Sequence, residues 1–139
     1  MNETIFIASD HAGFDLKQQI IRANSYFIDL GTNNMDNVDY PDYAKKLILK
    51  VKNNNNSKGI LICGSGIGMS IAANRDNKIR AGLAFTPEIA KLIRKHNDAN
   101  VLVLPGKFMN IQNALKCVEI FLKSIFEGGR HLKRINKLR

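Results

Sequence analysis

Short apolar runs alternating with longer amphipathic segments predict an α/β fold, a three-layer α/β/α sandwich with a five-stranded parallel sheet between its helices. Three observations carry this expectation. Five apolar runs have strand length and lack a helical period. The segments between them space their apolar residues three and four apart. A glycine-rich turn, Gly64-x-Gly66-x-Gly68, joins the third run to the segment that follows it.

Ile5 to Ala8 is the first strand, and Phe14, Leu16, Ile20 and Ala23 then recur at helical spacing. Tyr26 to Leu30 is the second strand. Pro41 suits a first helical turn, and Tyr43, Ala44, Leu47, Ile48 and Val51 make one apolar helix face. Asn53 to Asn56 is a polar break, read as a loop. Ile60 to Cys63 is the third strand, Ile67 to Ala73 begins a helix, and Ile79 to Ala84 is the fourth strand. Thr86-Pro87 reads as an N-cap and first-turn proline, opening a helix that runs to about His96. Val101 to Leu104 is the fifth strand. Ile111, Ala114, Leu115, Val118, Leu122 and Ile125 form the stripe of a long helix that Gly128-Gly129 stops. A basic helical tail starts at about residue 130, and no repeat or long linker divides the chain, so 1–139 reads as a single domain.

The size agrees, since 139 residues suffice for one real core. Hydrophobic residues at 45% and charged residues at 24% are ordinary for a soluble globular protein. No apolar stretch approaches the roughly 20 residues of a membrane helix. Met1-Asn2-Glu3-Thr4 lacks the basic and apolar regions of a signal peptide. With only Cys63 and Cys117, a disulfide framework is not expected and a cytoplasmic, reducing setting is favoured.

The net charge of +9 implies attraction to anions. Much of the excess follows Gly129, where Arg130, Lys133, Arg134, Lys137 and Arg139 meet no acidic residue. Three readings stand side by side: a solvated basic tail, a nucleic-acid footprint, and a site for a small phosphorylated ligand. Arg130 and Arg134 fall at i, i+4 on one helical face, a spacing at which two guanidinium groups can clamp one phosphate.

The segment Cys63 to Asn74, CGSGIGMSIAAN, carries most of the chemistry. A strand, a glycine turn and a helix put backbone N–H groups at a helix N-terminus, where they bind anions or an oxyanion. The turn matches neither the dinucleotide nor the Walker pattern. The next strand ends in Ala84-Phe85, without the acidic residue a dinucleotide site wants. Cys63 at the mouth of the turn suits proton transfer or attack, whereas Cys117 lies in a helix stripe as a small hydrophobe. Asp10-His11 closes the first strand, and His96-Asn97-Asp98 ends a helix. Ligands of parallel sheets bind beyond the strands' carboxyl ends, which gathers Asp10-His11, Cys63 to Gly68, Phe85-Thr86 and Pro105-Gly106 along one edge. His11, His96 and His131 include no i, i+4 pair and the two cysteines lie far apart in sequence, so no metal centre is expected; no cofactor is assigned.

Five blocks of the sequence resemble ribose-5-phosphate isomerase B: SDHAGFDLK (Ser9 to Lys17), DYPDYA (Asp39 to Ala44), CGSGIGMSIAAN, KHNDANVL (Lys95 to Leu102) and FEGGRHLKR (Phe126 to Arg134). They occur in the family's order across nearly the whole chain. The resemblance implies a Rossmann-like fold and the metal-free interconversion of ribose 5-phosphate and ribulose 5-phosphate in the pentose phosphate pathway. It also implies a homodimer with active sites shared between subunits, the alternative being a homotetramer. By position it makes Cys63 the base between C1 and C2, and the N–H groups around Gly64, Gly66, Ile67 and Gly68, with Ser65, the holders of the enediolate oxygen. His96 and Asp10 assist ring opening, with Asn97 nearby and donated by the partner. His11, Arg130 and Arg134 bind the phosphate, and Tyr40 lines the sugar pocket. Relatives without this cysteine use a glutamate later in the turn, where this chain has Met69. A related galactose 6-phosphate branch lacks the HND and EGGRH blocks present here. Lys107 replaces an arginine that approaches the phosphate across the dimer, keeping the charge and losing the fork.

The competing reading, a non-catalytic phosphate- or nucleic-acid-binding module, leaves Cys63, Asp10 and His96 without work. It also lacks aromatic residues interleaved with basic ones for base stacking. No nucleic-acid or membrane partner is therefore expected.

Overall fold

The computed structural model describes residues 2–138, so Met1 and the tail residue Arg139 lie outside it. The elements are β1 (Thr4–Ser9), α1 (Phe14–Ala23), β2 (Phe27–Asp29), α2 (Tyr40–Lys52), β3 (Ser57–Cys63) and α3 (Ile67–Ala73). They continue as β4 (Ala81–Leu83), α4 (Pro87–Asn97), β5 (Val101–Pro105), α5 (Ile111–Lys123) and α6 (Arg130–Ile135). The strands form one sheet in the order β2-β1-β3-β5-β4, every neighbouring pair parallel. This is the expected α/β/α sandwich.

Side-chain alternation along the central strands feeds two cores. Ile60, Ile62, Leu102 and Leu104 face α1, α4 and α5, while Leu61, Cys63, Val101 and Val103 face α2 and α3. Right-handed crossovers account for the division. Connections running one way across the sheet (α1, α4) lie on one face, and those running the other way (α2, α3) lie on the opposite face. After β1 and β5 the chain therefore turns to one face, and after β3, between them, it turns to the other. Two crevices open at the carboxyl ends, and Cys63 stands between them.

Several expected boundaries shift. The second strand is shorter than Tyr26–Leu30, and the fourth begins only at Ala81, because Asn100 Oδ1 takes the Arg80 N–H at 2.8 Å just before it. The long helix ends at Lys123 and not at the glycines. Ser124 is extended at φ −76°, ψ 147°, and its hydroxyl donates to Ile120 O at 2.6 Å. Ile125, assigned to the apolar stripe, is 79% exposed. Gly128 and Gly129, at φ 71° and 55°, instead redirect the chain into α6.

Candidate active site

The carboxyl ends of β1, β3 and β5 are tied together by backbone bonds around Cys63. The Asp10 N–H donates to Ile62 O at 3.3 Å, Gly106 to Cys63 O at 2.8 Å, and Lys107 to Gly64 O at 2.9 Å. Gly66 occupies the left-handed region at φ 78°, where a Cβ would also stand 2.4 Å from Leu83 Cδ1, so glycine is required there. That turn lets α3 start at once. Its first N–H groups have no carbonyl a turn earlier, and Ser65 Oγ accepts the Ile67 N–H at 3.2 Å. The arrangement presents backbone N–H groups beside a sulfur, the equipment for stabilising an oxyanion next to a proton acceptor.

Four other expected residues surround the turn. Asp10, buried to 6% exposure, accepts the Gly13 N–H at 3.0 Å through Oδ1. His11 Nδ1 accepts the Val38 N–H at 3.2 Å, so in the neutral ring Nε2 carries the proton and can donate to an anion. Tyr40, in the first turn of α2, lies over Gly68, whose missing Cβ would be 2.5 Å from Tyr40 Cζ. The stem of Lys107 passes the turn of its own chain, its Cδ 3.7 Å from where a Gly64 Cβ would be.

His96, Asn97, Arg130 and Arg134 are elsewhere. Helix α4 starts at the carboxyl edge and spans 11 residues, ~15 Å, so its last turn lies at the amino edge. There Asn100 accepts from Arg80 and donates to Lys78 O, both ahead of β4. Helix α6 packs against α4, and the His131 ring stacks on His96 with centroids 4.2 Å apart and planes 12° apart. Arg130 and Arg134 are exposed. Within one chain the expected site thus falls into two halves on opposite edges of the sheet.

Two residues of the second half escaped the sequence reading. Glu127 Oε1 lies 3.9 Å from His96 Nε2 and 3.6 Å from His131 Nε2, and the latter nitrogen is buried without a hydrogen-bond partner. Burial first, and Arg130 and His96 after it, hold His131 below the usual imidazole range against the opposing pull of Glu127. These three side chains bring ligand-type atoms within 4.8 Å of one another. Nearly parallel rings send their in-plane lone pairs along parallel planes, not to one point ~2 Å away, so the set is a poor metal cradle as it stands. Cys117, fully buried, has its thiol pushed up to about 11 by desolvation, in keeping with an inert core role.

A family model described as Ribose/Galactose Isomerase matches residues 5–138. A relative from Mycoplasma pneumoniae, named probable ribose-5-phosphate isomerase B, is 46% identical over 99% of this chain and 94% of its own length. The ribose-5-phosphate isomerase B of Escherichia coli is 39% identical over 96% of this chain and 93% of its own. Among solved structures, a ribose 5-phosphate isomerase of Thermotoga maritima superposes with TM-score 0.95 at 46% identity, covering 99% of this chain and 98% of that one. The Mycoplasma genitalium ribose-5-phosphate isomerase B with bound ribulose-5-phosphate superposes with TM-score 0.91 at 44% identity, covering 99% of this chain and 94% of that one.

Proposed function

This chain belongs to the ribose/galactose isomerase family, and on that footing we propose that it interconverts ribose 5-phosphate and ribulose 5-phosphate through an enediolate. The observation that carries the reading is the position of Cys63, at the end of β3 between two crevices and at the mouth of the glycine turn.

The open-chain aldose gives its C2 proton to the Cys63 thiolate. The C–H electron pair becomes the C1–C2 double bond, and the carbonyl pair moves onto O1. N–H groups from Gly64 to Gly68, with Ser65, receive that charge in a site shaped for it before the reaction starts. The thiol then returns its proton to C1, the hydroxyl proton passes from O2 to O1, and the ketose results with Cys63 restored. Ring opening comes first: His96 and Asp10 move the anomeric proton toward the ring oxygen, with Asn97 beside them. His11, Arg130 and Arg134 hold the phosphate, Lys107 adds a point charge, and Tyr40 walls the sugar. Remote phosphate binding fixes C1 and C2 against the sulfur.

The two halves meet only if a second chain presents its amino edge to the carboxyl edge of the first, so the reading includes a homodimer with two shared sites. A homotetramer would pair two such dimers. Exposed apolar side chains support a partner: Ile67 and Ile71, one turn apart on α3, are 55% and 56% exposed, and Phe108 is 69% exposed. His11 would then meet the phosphate from one subunit, and the two arginines from the other. We place the single domain in the cytoplasm; among the described residues no helix is long and apolar enough to cross a membrane.

Turnover of ribose 5-phosphate by the purified protein, in the presence of a chelator, tests the activity. Subunit exchange between Cys63→Ala and His96→Ala proteins tests the sharing. Each hybrid dimer has one site with both residues and one with neither, so activity should return on mixing. Verified exchange without recovery would place both residues in one subunit's site.

A further inference from the structure

Asp98 is the one residue other than glycine with a positive φ among the described residues, at φ 47° and ψ 44°. Helices often end on a left-handed residue, and glycine usually fills it because a Cβ there crowds the following carbonyl. Two arginines hold the aspartate in that conformation. Arg80, just ahead of β4, donates from Nε to the carbonyl oxygens of Asn97 at 3.0 Å and Asp98 at 3.1 Å. Its Nη2 donates to Asp98 O at 2.9 Å and to the Asp98 carboxylate at 3.2 Å. Arg94, buried to 8% exposure, donates from Nη1 to the same carboxylate and to Ala99 O, both at 2.8 Å. The last carbonyls of a helix have no N–H ahead of them. Here the carbonyl of Asn97, the last of the helix, and those of Asp98 and Ala99 just beyond it all go to guanidinium groups, and the Asp98 carboxylate joins the two arginines.

We infer that Asp98 is a positioning residue. With Arg80 and Arg94 it fixes the last turn of α4, so that His96 and Asn97 reach the sugar held at the partner's glycine turn. This rests on the role given to His96 under the proposed function. The His96 imidazole is 36% exposed, stacked on the His131 ring and 3.9 Å from Glu127, so the backbone that carries it sets where it reaches. An arginine pair without the carboxylate still reaches the carbonyls, but loses the group that spans them and anchors the left-handed residue.

The chemistry offers a readout that a merely structural residue would not move. Ribose 5-phosphate closes into a furanose and must be opened. Ribulose 5-phosphate cannot close onto C2, because its O5 is phosphorylated. Exchange of a C1 proton of the ketose with solvent therefore needs Cys63 and the oxyanion site, and not the ring-opening group.

The test compares Asp98→Gly, which keeps the left-handed backbone without the carboxylate, with Asp98→Asn and with His96→Ala as reference. Small displacements of reacting groups are costly, so Asp98→Gly should lower kcat on ribose 5-phosphate by about ten- to hundredfold. Deuterium uptake at C1 of ribulose 5-phosphate in D₂O should stay close to the native rate, with Asp98→Asn intermediate and His96→Ala showing the same split. Native kcat in Asp98→Gly, or equal loss of isomerisation and exchange, overturns the inference. If His96→Ala splits the two rates while Asp98→Gly behaves as native, the positioning role fails and the role of His96 stands. If His96→Ala isomerises at the native rate, both fail. Thermal melts establish that each variant is folded, and Asp98→Asn carries the same test should Asp98→Gly not fold.

Discussion

The imidazoles of His96 and His131 lie face to face, with ring centroids 4.2 Å apart and planes inclined by 12°. In this stack His131 is held low by burial, then by Arg130 and His96. The unfolded chain takes up its histidine proton near pH ~6.5, while the native ring resists until a lower pH. The unfolded state thus binds more protons in the window below ~6.5, and stability rises with pH there. Urea midpoints should fall as the protein is taken from pH 7 toward pH 5. His131→Phe, which keeps a flat ring on His96, should flatten that dependence. An unchanged slope in this variant would move the effect to other groups.

The cysteines should behave oppositely. Cys63→Ala should cut isomerisation by on the order of 10²–10⁴-fold, the usual loss for a positioned acid or base. Cys117→Ala should leave turnover largely intact, since its thiol is fully buried in the core shared by α1, α4 and α5. Alkylation of the native protein should label Cys63 first, and ribose 5-phosphate should protect it. A thiol held at about 11 and shut away from solvent gives Cys117 little thiolate to react. Full turnover in Cys63→Ala would remove this residue from the mechanism.

Local signals made most of the fold legible. The N-cap of α4 is an instance: Thr86 Oγ1 accepts the Ile89 N–H at 3.2 Å, with Pro87 in the first turn, as the dipeptide predicts. Lys17 shows where a local pattern stops. It lies on the buried face of α1 with 0% exposure, which is tolerable only because its ammonium meets Asp29 at 2.8 Å, twelve residues later and on β2. The glycine turn, Cys63, Asp10 and His11 converge as the strand rule requires, because each follows a parallel strand directly. His96 does not follow a strand. The signal was available, since a helix that starts at the carboxyl edge must end at the amino edge, but residue-by-residue reading does not draw it. The stacking of His131 and the closeness of Glu127 had no sequence signal: they depend on α6 folding back onto α4, pinned where the Glu127 N–H meets Lys95 O at 3.0 Å.

The basic tail should bind phosphate specifically. Arg130→Ala or Arg134→Ala should raise KM for ribose 5-phosphate by about ten- to hundredfold, since a hydrogen bond to a charged group contributes roughly 1.5–3 kcal/mol. A lower kcat should accompany this, because the phosphate anchors the carbons against Cys63. Unphosphorylated ribose should be a poor substrate and suffer much less from the same changes. Equal losses on the two sugars would count against the clamp. Salt-sensitive binding of nucleic acid that weakens in these variants, with isomerisation unchanged, would restore the alternative reading of the tail.

The last prediction concerns the contact between Tyr40 and Gly68. A Cβ on Gly68 would stand 2.5 Å from Tyr40 Cζ and 2.7 Å from Cε1, nearer than carbon atoms approach, so Gly68→Ala must push the phenol aside. Tyr40 is 38% exposed and has room to swing outward, so the fold should survive. The cost should appear in kcat/KM, because the ring walls the sugar pocket only while the position below it stays empty. If that is the whole reason for glycine here, Gly68→Ala and Tyr40→Ala should each lower kcat/KM, and the double variant should lose no more than Tyr40→Ala alone. Residues in contact commonly couple by about 0.5–3 kcal/mol, and a value of at least ~1 kcal/mol is expected for this pair. Strict additivity would mean that Gly68 serves the backbone N–H groups of the turn directly, and that Tyr40 is a separate wall.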